Sequence, residues 1–530
     1  MAATPERWDV EDDAFWEGEG KRIANRNLWI SIPNLLCGFS VWLYWGMIVK
    51  TMQKIHFANP DLFAFSDWVG DTADETAYKA LLYTLPAVAG LAGATLRIPN
   101  SFMIAICGGR NVIFMTTVLL IIPAAAAGFA LQNAETPFHV YIVLAALSGV
   151  GGGAFSSSMS NISFFFPKRV QGLALGLNAG LGNAGVSVMQ FLIPIVITRS
   201  IFGALGGAPY EITTAAGAEQ IWLQNAALVW VPIMAFLAVL AWLLMNNLPQ
   251  HPCGPTPFAI FKYLWLQGLG FVGVVVGVGL LVWSRSWPVP ELVSTFIVLV
   301  ITVLVTLAVM KWCTPRAIQE PLHAQFAIFK NKHNWIMTWL YVMTFGSFIG
   351  YSNAFPKLLQ DVFVTEQNNL SLAAYIWIGP FVGALIRPVG GWLSDRFGGA
   401  KVTQWDTWIM VFSTIAAGYI VYLARHSATP EKYFIPFLLT FIVLFATTGI
   451  GNGSTFRMIP IIFEKAQAGP VLGWTSAIAA YGAYLIPKIF GQQIKAGTPE
   501  YALYGFALYY ATCLWVNWYY YARKNAEIEC

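Results

Sequence analysis

The chain has 530 residues, 57% of them hydrophobic, with 30 Lys and Arg against 26 Asp and Glu for a net charge of +4. Only 11% are charged, far below the roughly 25% of soluble proteins, which excludes a water-soluble globule and leaves a polytopic membrane protein. The small positive balance belongs to its loops, so the bilayer, and no nucleic acid, is the expected large partner.

Residues 1–28 form a polar tail, first acidic (Glu11, Asp12, Asp13, Glu17, Glu19) and then basic (Lys21, Arg22, Arg26), without the pattern of a cleavable leader. Fourteen apolar stretches follow, each near the ~20 residues that a bilayer core demands. They cover roughly 29–50, 79–107, 112–131, 139–165, 173–197, 222–247, 263–284, 290–312, 335–358, 371–393, 402–424, 433–463, 470–492 and 501–522. Lys and Arg recur in every second loop ("GGRN", "PKRVQG", "KWCTPR…FKNKHN", "SDRFGGAK", "ARKN"), whereas loop 51–78 carries Asp61, Asp67, Asp71, Asp74 and Glu75. The positive-inside bias therefore predicts both termini in the cytoplasm. The six cysteines follow no ligand or disulfide spacing, and no metal or cofactor is expected.

The chain also repeats. "GATLRIP" (93–99) and "GALIRPV" (383–389) share Gly-Ala-x-x-Arg, each arginine some 16 to 18 residues into a span. "LGLNAGLGNAGVSV" (175–188) and "LGWTSAIAAYGAYL" (472–485) share Leu-Gly followed by a glycine at one offset. These pairs link the second and fifth spans of two parallel halves. The predicted fold is an all-α major facilitator arrangement of two six-helix bundles, with substrate held at mid-depth between them. Twelve spans satisfy that symmetry, so two are surplus. The expected division is a tail at 1–28, a first bundle at 29–250, a linker at 251–333 with two inserted helices, and a second bundle at 334–530. The aliphatic inserted pair reads as lipid-facing and outside the pathway.

All acidic residues fall in tails, loops or span ends, the deepest being Asp406, barely a turn into its span. Three arginines lie deeper: Arg97, Arg387 and Arg457. An intramembrane charge is rare and usually faces a cavity. A structural arginine, bonded to carbonyls or snorkelling to the interface, is the ordinary alternative; for Arg457, two turns from a span end, both readings stand. Arg97 and Arg387 are central, matched in depth and without an internal carboxylate. A bound anion is the economical counter-charge, since guanidinium stays charged and offers a planar fork of donors suited to a small flat oxyanion. An empty pair of like charges is costly to enclose, which predicts exchange rather than return of an empty carrier. Asn178 and Asn183, in a glycine-rich stretch that also reads as close packing, add neutral donors. Tyr341, Phe345, Phe348 and Tyr351 form an aromatic stripe of the kind more often used for packing.

Five stretches, "LGLNAGLGNAGVSVMQFLIP", "SSSMSNISFFFPKRVQG", "RIANRNLWISIP", "TFGSFIGYS" and "GNGSTFRMIPIIF", resemble the nitrate/nitrite porter family of the major facilitator superfamily, in its NarK-type branch. The resemblance covers nearly the whole chain apart from about 251–330. It implies an arginine clamp on nitrate or nitrite by Arg97 and Arg387, a signature asparagine at Asn183, and aromatic packing of the ion by Phe155, Tyr341 and Phe345. "GGWLSDRFGG" resembles the superfamily's gate motif, with Asp395 and Arg396 as gate charges, while its first-half counterpart "CGGRN" is degenerate. Ala479 and Ala483 stand where the family carries glycine, which puts close packing of that helix in question. The implied protein is no enzyme but a monomeric bacterial inner-membrane carrier exchanging nitrate for nitrite. The alternatives are proton-coupled nitrate uptake and a nitrate receptor that has lost transport.

Overall fold

The computed structural model describes residues 4–69, 75–214, 217–251, 253–364 and 374–530. Asp71, Asp74 and the first residues of the stretch 371–393 lie outside the described residues. Helical rods occupy the expected stretches, and we label them in order. They are α1 (Asp13–Ala58), α2 (Ala77–Asn100), α3 (Gly109–Ala130), α4 (Phe138–Phe165), α5 (Lys168–Val196), α6 (Asn225–Leu244) and α7 (Thr256–Trp283). The rest are α8 (Glu291–Trp312), α9 (332–363), α10 (378–397), α11 (Gly399–Arg425), α12 (Pro430–Ile462), α13 (465–495) and α14 (499–522). Ten are long and apolar enough to cross a membrane. The other four, α9, α10, α13 and α14, are broken or polar: α9 has a π turn at Val342–Gly346, and α10 is interrupted at Ile386 and α13 at Tyr481. An all-helical chain was expected, but the α5–α6 connection carries a β-hairpin, β1 (Tyr210–Thr214) against β2 (Gly217–Ile221), with Tyr210 opposite Ile221. It is anchored by Lys54 to Glu219 at 2.5 Å and by Tyr210 Oη donating to the Leu131 carbonyl.

Glycines set how closely the rods approach, as expected where helices associate without a hydrophobic drive. A β-carbon on Gly151 of α4 would collide with the Gly38 carbonyl of α1, and one on Gly152 would fall 2.6 Å from Gly93 of α2. In the second half, Gly449 of α12 lies against the Gly383 carbonyl of α10. The α9–α13 contact, in doubt because of Ala479, closes because its partner is small: a β-carbon on Gly346 would fall 3.2 Å from the Ala479 carbonyl oxygen. The repeat extends to the loops. Gly108 of "CGGRN" (φ 82°, ψ 140°) and Gly398 of "FGGAK" (φ 91°, ψ 137°) share one backbone conformation, each starting the next helix. That conformation strains any side chain. The degenerate first-half motif thus keeps its backbone.

The termini gather at one end. Trp8 Nε1 donates to the Phe164 carbonyl, Arg169 at the start of α5 pairs with Asp13, and the Ala400 amide donates to the Cys530 carbonyl. The acidic tail therefore neutralises the basic loop.

The α7–α8 pair exposes Val272, Val275, Phe296, Val300 and Leu304 on one face. Its other face packs on α2, the rod of Arg97: a β-carbon on Gly270 would fall 2.8 Å from Pro99. Asn100 Nδ2 donates to Gln267 Oε1 at 3.2 Å, and Gln267 to Tyr263 Oη at 2.9 Å. Lys488 of α13 reaches Thr295 and Glu291 of α8. The pair therefore touches both halves.

Gly151→Val should force α1 and α4 apart at a cost of about 1–3 kcal/mol, the range for overpacking. The expected outcome is a lower Tm in detergent, read by intrinsic tryptophan fluorescence.

Candidate functional site

Both central arginines are wholly enclosed: Arg97 and Arg387 are each 0% exposed. Arg97 stands near the end of α2. Its Nε donates to the Gly152 carbonyl of α4 at 2.8 Å, and its Nη1 crosses to the Ser476 carbonyl of α13 at 3.2 Å. Its Nη2 is buried without a hydrogen-bond acceptor among the described residues. Arg387 opens the second segment of α10, where Pro388 removes the amide hydrogen that would continue the ladder, so the helix breaks just before it. None of its three guanidinium nitrogens finds an acceptor among the described residues.

Aromatic faces surround these cations. The Arg97 guanidinium carbon lies 4.7 Å from the Phe155 ring centre, 4.7 Å from Phe345 and 5.2 Å from Trp42. Arg387 lies 4.2 Å from Phe348 and 5.5 Å from Phe345. Phe345 thus serves both arginines, and it stacks on Phe155 (5.1 Å) and Tyr341 (5.6 Å). Tyr341 in turn stacks on Phe456 and accepts a hydrogen bond from Asn452 Nδ2 at 2.9 Å. The π turn of α9 carries Phe345 at its end, consistent with the frequency of such turns at functional positions. Cation–π contact offsets part of the charge burial. It supplies no acceptor for the N–H groups that remain.

The two asparagines divide. Asn178 is drawn into the first half, its Nδ2 donating to Ser158 Oγ at 2.9 Å, which is itself bonded to Ser31. Asn183 donates to its own helix at the Ala179 carbonyl and leaves Oδ1 buried without a donor among the described residues. It shares a helix face with Gly180, whose β-carbon would lie 2.6 Å from the Ala384 carbonyl oxygen and 3.3 Å from Arg387 Cβ. Gly176 likewise meets the Arg387 carbonyl. The glycine-rich stretch is therefore packing that admits the Arg387 backbone. Trp42, Phe348, Asn452 and Phe456 join the site without having been singled out as site residues. Of these, Asn452 and Phe456 lie in the quoted "GNGSTFR" stretch, whereas Trp42 carries no polar signal.

At the end bearing the termini, Asp395 of α10 accepts from the Gly172 and Leu173 amides of α5 at 3.2 and 2.9 Å and is paired with Arg457 Nε. A carboxylate at the first turn of a helix is stabilised by its unpaired amides and dipole. Gly172 and Gly391 meet backbone to backbone, which brings the two halves together here. Arg396 does not join this cluster; it is exposed and lies over Phe397 and Trp392. The charge that pairs with Asp395 is Arg457. Asp395→Ala should leave Gly172 and Leu173 without their acceptor. Loss of a charge-assisted bond of about 1.5–3 kcal/mol predicts roughly ten- to a hundredfold faster amide exchange at the start of α5, measured by hydrogen–deuterium exchange.

The comparisons agree with this architecture. The family model of the Major Facilitator Superfamily matches residues 30–487. A probable nitrate/nitrite antiporter, NarK2 of Thermus thermophilus, is 35% identical over 526 residues, covering 99% of this chain and 97% of that one. The nitrate/nitrite transporter NarU of Salmonella typhimurium is 36% identical over 544 residues, covering 98% and 96%. Among solved structures, the proton:xylose symporter XylE superposes with a TM-score of 0.58 at 13% identity, over 96% of this chain and 98% of that one. The human organic anion transporter MFSD10 gives 0.56 at 11%, over 94% and 99%. The chain is a multi-pass membrane protein of the Major Facilitator Superfamily and belongs to its nitrate/nitrite porter family.

Proposed function

We propose that this carrier exchanges nitrate for nitrite across the bacterial inner membrane, with both termini in the cytoplasm and one complete site per monomer. The observation that carries the reading is the open donor set: three nitrogens of Arg387 and one of Arg97 are buried without acceptors among the described residues, and both guanidinium groups lie near the Phe345 ring, at 5.5 and 4.7 Å. A small flat monovalent oxyanion supplies acceptors for a planar fork and lies flat against aromatic rings. The two ions differ by one oxygen, so one clamp accommodates both. Similarity to porters of these ions over nearly the full length supports the choice of substrate.

Exchange follows from the charge. Loaded, the site holds two cations and one anion; unloaded, it holds two cations in a low-dielectric enclosure, where the cost of desolvation is uncompensated. Closure is thus favoured with an ion bound, from either side. Asp395 with Arg457 would latch the cytoplasmic end while the site opens outward, and parting of Gly172 from Gly391 would open it inward.

The decisive experiment is counterflow in proteoliposomes. Nitrate uptake should require internal nitrite or nitrate and proceed without a proton gradient; uptake into anion-free vesicles driven by external acid would overturn exchange. Arg387→Lys should lower flux by roughly ten- to a hundredfold although the charge survives, because about 1.5–3 kcal/mol of paired, charge-assisted bonding is lost. Arg97→Lys should do the same with a smaller loss, since two of its nitrogens serve carbonyls.

A further inference from the structure

Asp406 stands outside the mechanism above, yet it is the acidic residue most at odds with its surroundings. Counted from the start of its span, it lies barely a turn deep. The packing places it deeper. Gly399, the first residue of α11, already lies against Met458 and the Ser454 carbonyl, inside α12. Asp406 is level with Gly451, where a β-carbon would fall 2.6 Å from its Oδ2 and 2.7 Å from Thr344 Cγ2. Gly451 is eleven residues from the end of α12 at Ile462, about 16 Å along the axis and so near the middle of a hydrocarbon core of about 30 Å. Two residues on, a β-carbon on Gly453 would fall 2.5 Å from the Arg387 carbonyl oxygen. The carboxyl group thus sits at the depth of the arginine, on the opposite side of α12.

Asp406 is 3% exposed, no side chain among the described residues hydrogen-bonds either carboxylate oxygen, and the backbone of Gly451 is the polar group beside it. The charged and titratable groups on the packed elements are engaged elsewhere. On α12, Arg457 is paired with Asp395. On α10, Arg387 faces Phe348 and Phe345, and Arg396 lies over Phe397. On α9, Tyr341 is bonded to Asn452, and His333, near the start of the rod, to Tyr521 and Glu527. On α14, Tyr510 is bonded to Ser347 and Tyr351, Tyr509 donates to the Trp339 carbonyl, and Cys513 is directed at the same carbonyl. An ionised carboxylate here would have no counter-charge in contact among the described residues, and its desolvation would go uncompensated.

Asp406 is nevertheless connected to the site. Its Oδ2 and the Thr344 side chain border the same space beside Gly451; Thr344 belongs to the π turn that also carries Phe345, and its Oγ1 is 3.4 Å from Thr455 Oγ1 and donates to the Tyr341 carbonyl. We propose that Asp406 is a proton-binding site that the closed state keeps filled. The carboxyl O–H breaks only when water from the opened site reaches it past Thr344 and Thr455, and the proton passes to that water. Closure requires its return. Alkaline conditions therefore leave a carboxylate that resists closure, and exchange slows as pH rises.

Infrared difference spectroscopy of the reconstituted protein tests the protonation state without reference to substrate. A buried carboxylic C=O band should be present at neutral pH in the wild type and absent in Asp406→Asn. The flux arm rests on the exchange reading: nitrate–nitrite counterflow should fall at alkaline pH in the wild type, and Asp406→Asn, permanently neutral, should lose that fall. Asp406→Ser, smaller and also neutral, is the second variant should the asparagine fail to fold. A wild type without the band, or neutral variants with an unchanged alkaline fall, overturns the proposal. A band that behaves as expected alongside absent counterflow would overturn exchange and leave the proton site standing.

Discussion

The guanidinium of Arg387 is the constraint around which the protein is organised. It is enclosed at mid-depth, its charge cannot be titrated away under physiological conditions, and no acceptor among the described residues takes its hydrogens. Arg97, its counterpart in the repeat, is half satisfied by the carbonyls of Gly152 and Ser476. The pair is therefore unequal: Arg97 is braced by protein carbonyls, Arg387 has no acceptor among the described residues, and Phe345 lies near both. Rings near both cations soften the burial without competing for the N–H groups.

Such a site works only if helices approach closely enough to exclude water, and glycine provides that approach on both sides of the pseudo-axis. Gly176 and Gly180 admit the Arg387 backbone against α5, while Gly473 admits Ser101 at the contact of α13 with α2. These are the two symmetry-related crossings between halves. Gly172 against Gly391 closes the end bearing the termini, and Asp395 ties that closure to the first turn of α5. At the same end Gly469 of α13 lies against Ser160 and Phe164 of α4, so both crossings between the halves are closed there.

The arginines, the repeat and the two-bundle fold could be read directly because each leaves a local mark: a charge inside an apolar run, or a motif recurring at one depth. What depends on rotation about a helix could not. Asn178 and Asn183 are five residues apart in one stretch, yet one is tied to Ser158 and the other shares the face turned to α10. Arg396 is adjacent to Asp395, but the partner comes from α12, because neighbours on a helix point apart while Arg457 is brought near by packing. Asp406 is shallow along its own helix but deep in the fold, because α11 begins inside the bundle, with Gly399 against Met458 and the Ser454 carbonyl. The hairpin before α6 and the π turn at 342–346 arise from tertiary contacts that no short stretch announces. Trp42 has no signal at all beyond being apolar in an apolar span.

The inserted helices give the protein an uneven outline. By lining the back of α2 while Lys488 of α13 reaches Thr295 and Glu291 of α8, they form a fixed flank along one seam between the halves. A tilt of one half against the other would have to carry or break these contacts along that seam.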